Sequence, residues 1–85
     1  MKNQYESIVV TYGKDTQTWD VVCWHKNADI NNNQIRPFFE SSFDSGVDAY
    51  LQALKVFKND GALKLIQLNK SGEVLSMTEQ WGDLL

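Results

Sequence analysis

The chain predicts a small α+β domain, with one amphipathic helix packed on an antiparallel sheet of about four strands in the order β-β-α-β-β. Three observations carry this. Residues 5–12 alternate with β-branched side chains, residues 45–58 repeat apolar positions at helical spacing, and Asn69-Lys70-Ser71-Gly72 separates two further strand-like runs. One helix over one sheet is the simplest way for both to bury an apolar face.

In the first hairpin, residues 5–26, Ile8, Val10 and Tyr12 share one face of the leading strand, and Ser7, Val9 and Thr11 share the other. Gly13-Lys14-Asp15-Thr16-Gln17 is polar and suits the connecting loop. The returning strand, from Thr18 to Lys26, puts Trp19, Val21, Cys23 and His25 on one face and Asp20, Val22 and Trp24 on the other. Residues 27–41 read as an Asn-rich loop, since Asn31-Asn32-Asn33 offers no apolar anchor and Asn favours turns. Pro37 lacks a backbone donor, so a strand around Ile35 to Phe39 is expected to be short and at an edge.

The helix is expected over residues 45–58. Ser45-Gly46-Val47-Asp48 resembles a capping box with Asp in the place of Glu. Asp44 and Asp48 complement the positive end of the helix dipole, and Lys55 and Lys58 the negative end. Val47, Tyr50, Leu51, Leu54 and Phe57 form the stripe expected to be buried. Asn59-Asp60-Gly61 stops the helix, with Gly61 in the left-handed position. The second hairpin occupies residues 62–80, with Gly72 as the left-handed residue of a type I turn plus bulge.

Size and charge narrow the function. Eighty-five residues make one domain, which buries only ~60–65% of the surface its unfolded chain exposes. An aromatic fraction of 12% compensates, because each ring removes a large area from water. A formal charge of −3 argues against nonspecific nucleic-acid binding, which needs a basic footprint. Cys23 is the single cysteine and cannot close an internal disulfide, which fits a reducing compartment. The first residues lack the apolar core of a secretory signal, and no apolar run reaches the ~20 residues of a membrane span. The expected location is cytoplasmic.

Trp19-Asp20-Val21, Phe43 with Ser45, Asp48-Ala49, Ala53, Leu65, Asn69, Gly72 and Trp81-Gly82 together resemble a small bacterial domain family of unknown function, the one catalogued under number 2188. The resemblance covers about two-thirds of the chain. It implies the β-β-α-β-β fold and brings no site residues, because the family has no established activity. Residues 27–34 depart from it as a longer insertion.

No catalytic, phosphate-binding or metal motif appears, so the chain is read as no enzyme and as needing no cofactor. Cys23 and His25 share a strand face, but zinc needs three or four protein ligands and no second Cys or His exists. Buried cysteine beside a satisfied or surface histidine explains the pair better. Asp44 and Asp48 are better explained by capping than by acid–base chemistry.

The aromatic residues remain. A single helix covers one sheet face, and Trp19 and Trp24 lie on opposite faces of one strand. Either residues 27–39 fold back over the second face, with Ile35, Phe38 and Phe39 as packing residues, or that face is a partner surface. The leading expectation is a noncatalytic protein-interaction module, belonging to a small accessory or mobile-element protein. It would bind a protein partner or a second copy of itself as a homodimer, through Tyr12, Trp19 and Trp24, with no membrane and no small-molecule substrate. The alternative is a single-stranded nucleic-acid-binding domain that stacks bases on the same aromatic face. Lys14, Lys26, Arg36 and Lys64 are scattered among acidic residues, which weakens it.

Overall fold

The computed structural model describes residues 5–25 and 37–79. They form an α+β domain of five strands and one helix: β1 (Tyr5–Gly13), β2 (Thr18–His25), β3 (Phe38–Phe43), α1 (Gly46–Asp60), β4 (Lys64–Leu68) and β5 (Val74–Glu79). The sheet order is β3-β2-β1-β4-β5, with β1 at the centre. The fold class is the one the sequence predicts.

The sheet is mixed rather than wholly antiparallel, because β1 and β4 run parallel. The direction follows from chain path. β1, β2 and β3 form a meander, so β3 runs the same way as β1. The 15 residues of α1 span about 22 Å at ~1.5 Å per residue, which returns the chain to the end where β3 began. The next strand must then run with β3, and beside β1 that means parallel.

A fifth strand stands where the sequence suggests only a loop or a short edge segment. β3 takes Phe38 to Phe43, so the predicted loop of residues 27–41 ends earlier. Residues 27–36 lie outside the described part. Register on β2 shifts between Val21 and Val22, leaving Glu40 as a bulged extra residue on β3. Pro37 before the strand and this bulge blunt the outer edge of β3.

The helix begins as expected. Ser45 sits in extended backbone and its Oγ accepts from the Asp48 N–H at 3.4 Å. Gly61, at φ 80°, closes the helix by donating its N–H to the Phe57 carbonyl. The helix runs to Asp60 rather than to Lys58, and its buried face keeps Phe57 of the predicted stripe, with Tyr50 and Leu54 partly buried beside it, but is rotated away from Val47 and Leu51. Ala49, Ala53, Phe57 and Asp60 face the sheet, whereas Val47 and Leu51 are 68% and 57% exposed. The larger side chains come from the sheet: Ile8, Val10, Val21 and Leu65 are fully buried. Ala49 and Ala53 opposite them let the helix approach closely, which turns Val47 and Leu51 outward. Tyr50, Leu54 and Val56 pack at the margin of this core.

The second hairpin turns as predicted. Gly72 adopts φ 86° and donates to the Asn69 carbonyl, while Asn69 Oδ1 accepts from the N–H groups of Ser71 and Glu73 at 2.9 Å. α1 lies over β1 to β4 and does not reach β5, so every residue of β5 is exposed.

Candidate interaction surface

The two sheet faces are set by register. In the β1–β2 ladder, Ile8 opposes Cys23, Val10 opposes Val21 and Tyr12 opposes Trp19 on the face beneath the helix. Ser7 opposes Trp24, Val9 opposes Val22 and Thr11 opposes Asp20 on the other face. Residues opposite each other in an antiparallel pair share a face, which carries the assignment outward to the flanking strands.

On the second face one transverse row is apolar in all five strands. Phe39 opposes Val22, Val22 opposes Val9, Val9 pairs with Ile66, and Ile66 opposes Met77. Trp24, 40% exposed, extends the patch on one side, and Leu68 with Val74 extends it on the other. Phe39 and Met77, on the outer strands, are 56% and 54% exposed. Among the described residues no element lies over this row. Its borders are polar: Asp20 and Thr11 at one end of the sheet, Lys64 opposite Glu79 at the other.

The three residues expected as anchors do not form one surface. Trp24 lies on the open face. Tyr12 and Trp19 lie on the helix face at the far end of the first hairpin, their ring centroids 5.0 Å apart and tilted by 58°. Trp19 packs against the core and shields the start of α1, where a Cβ on Gly46 would meet its ring at 3.2 Å. Lys70 reaches from the second hairpin to place Nζ 5.0 Å from the centroid of the Tyr12 ring. Phe38 and Phe39 are strand residues and half exposed, so they do not lie folded over the sheet as packing residues; Ile35 lies outside the described part. The residues that sequence reasoning missed are Val9, Val22, Phe39, Ile66 and Met77. Their alternation was visible, but only the strand order aligns them.

Near one edge of the helix face, Tyr5 stacks with Phe38 and tilts against His25. A bulge between Tyr5 and Ser7 turns Tyr5 onto the face of Ile8 despite the odd spacing. Glu40 accepts from Gln52 Nε2 of the helix at 3.2 Å and from Ser41 Oγ. Burial pushes the Cys23 thiol up to about 12, with the charges of Glu40 and Asp60 acting in the same direction. It is therefore a neutral thiol at physiological pH, and the thiolate is the nucleophilic form. Among the described residues no group of three or more His, Cys, Asp or Glu side chains is placed to hold a metal ion. No described helix is long and apolar enough to cross a membrane.

Comparison of the chain with protein-family models, curated proteins and solved structures finds no match.

Proposed function

We propose that this chain is a noncatalytic protein-binding domain whose working surface is the open sheet face. The observation that carries the reading is the unbroken apolar row from Phe39 to Met77, flanked by Trp24 and bordered by Asp20, Lys64 and Glu79. An apolar centre with a polar rim is the usual anatomy of a protein interface. Leaving such a patch in water forfeits roughly 25 cal/mol for each Å² that a partner would cover. A protein partner fits better than nucleic acid, because Lys64 is the one cation on this face among the described residues, is opposed by Glu79, and is outnumbered by Glu79 and Asp20. A reducing, cytoplasmic setting and membership of the domain family that the chain resembles belong to the same proposal.

Of the three residues named from sequence, Trp24 is the anchor on this surface, and Tyr12 and Trp19 support the fold. Binding to captured partners, an immobilised copy of the chain included, is compared for wild type, Trp24→Ala and Tyr12→Ala. The expected result is a loss of tenfold or more in affinity for Trp24→Ala, about 1.4 kcal/mol or more, with the circular dichroism spectrum retained. Unchanged binding by folded Trp24→Ala protein would sink the reading.

A further inference from the structure

We infer that the occupant of the open face is a second copy of this chain, packed sheet to sheet about a two-fold axis that runs along β1. The inference rests on the interaction reading above and names its partner.

Register supplies the first argument. β1 is the central strand, so an in-plane axis along it brings β2 of one copy over β4 of the other, and β3 over β5. Val9 then meets the partner's Val9. Val22 meets the partner's Ile66, and Phe39 meets the partner's Met77, an aromatic ring against a thioether. Trp24 and Lys64 both pair with Ser7, one on each side of it. The same rotation therefore sets Trp24 against the partner's Lys64, a cation over an indole, and does so twice. The apolar row is complementary to itself under this rotation.

Area supplies the second. Five strands at ~4.8 Å spacing, in ladders of four to eight residue pairs at ~3.3 Å, present about 450 Å² in projection. Side-chain relief raises the area removed from water above that projection, toward the ~800 Å² per partner of a standard specific interface. The dimer is thus of modest size, with a dissociation constant expected in the micromolar range. Each sheet twists away from its central strand, so the fit is closest at the axis and loosens toward the edges. Val9 accordingly carries the largest effect. Contact is apolar and each copy carries a charge of −3, so added salt is expected to strengthen association.

The test is solution mass by light scattering and sedimentation equilibrium, from about 1 µM to about 1 mM, for wild type, Val9→Lys, Met77→Lys and Leu51→Lys. The expected mass rises with concentration from 9.7 kDa toward twice that value for wild type and Leu51→Lys, and stays at 9.7 kDa for the other two. Met77 is already half exposed on an outer strand, so Met77→Lys serves if Val9→Lys fails to fold. Wild type that remains monomeric throughout overturns the second copy as occupant, and leaves the face itself to the Trp24→Ala comparison. Folded Val9→Lys and Met77→Lys proteins that still dimerise overturn the face as well. A dimer abolished by Leu51→Lys but kept by Met77→Lys moves the interface to the outward side of α1.

Discussion

The backbone N–H of Tyr5 donates to Asp60 Oδ2 at 3.0 Å, tying the first residue of β1 to the last residue of α1. Both groups are buried, and Asp60 is 6% exposed. A carboxylate in the last turn opposes the helix dipole, so its presence there reflects the donor it meets. Asp60→Ala leaves that N–H without its acceptor and is expected to cost about 1–3 kcal/mol. Asp60→Asn keeps an acceptor oxygen and should cost less. Urea denaturation followed by tryptophan fluorescence measures both, and equal losses would show that the hydrogen bond is not the source.

The inward face of α1 is set by alanine. Ala53→Leu forces a large side chain between the helix and the buried sheet residues, and is expected to destabilise by about 1–3 kcal/mol. Leu51→Ala removes an outward residue and should stay within about 0.5 kcal/mol of wild type. The reverse order of the two effects would restore the stripe that helical periodicity alone suggests.

Cys23 makes stability depend on alkaline pH. Its folded pKa lies at about 12 against an ordinary value of 9.0, so above pH 9 the unfolded chain loses a proton that the folded chain keeps. That favours unfolding, with the stabilisation complete below pH 9 and lost as pH climbs toward 12. Cys23→Val removes this contribution. Thermal denaturation from pH 8 to 11 should show wild type falling more steeply than the variant, and native protein should react slowly with thiol reagents at pH 8. Parallel curves and fast labelling would count against a buried neutral thiol.

Gln17 closes the first hairpin at φ 58°, its N–H donating to the Gly13 carbonyl at 2.7 Å. A side chain with a Cβ pays ~1–2 kcal/mol for left-handed backbone, and glycine does not. Gln17→Gly is expected to stabilise by about 0.5–1 kcal/mol after its greater unfolded-state freedom is counted, a rise of about 2–8 °C in melting temperature. A lower melting temperature would mean that the loop does not hold position 17 in that conformation.

Local chemistry made much of this fold legible in the chain. Alternation of β-branched residues marks β1 and β2, Ser45 and Gly61 bracket α1, and Asn69 with Gly72 shapes the second turn. Each depends on interactions among residues a few positions apart, which sequence displays directly. That Trp24 shares a face with Val22 and lies on the face opposite Trp19 was readable in the same way, whereas which of the two faces the helix leaves open was not.

Tertiary structure alone decided the rest. The parallel pairing of β4 with β1 depends on where a helix of this length delivers the chain. The choice of Ala49 and Ala53 over Val47 and Leu51 as the buried helix face depends on the size of the sheet residues beneath. The bulges between Tyr5 and Ser7 and at Glu40 each reset a parity that simple alternation would carry on. The row from Phe39 through Val22, Val9 and Ile66 to Met77 joins residues from five strands, and no local pattern contains it. Sequence determines which side chains share a face within one strand, whereas strand order and register determine which strands bring those faces together.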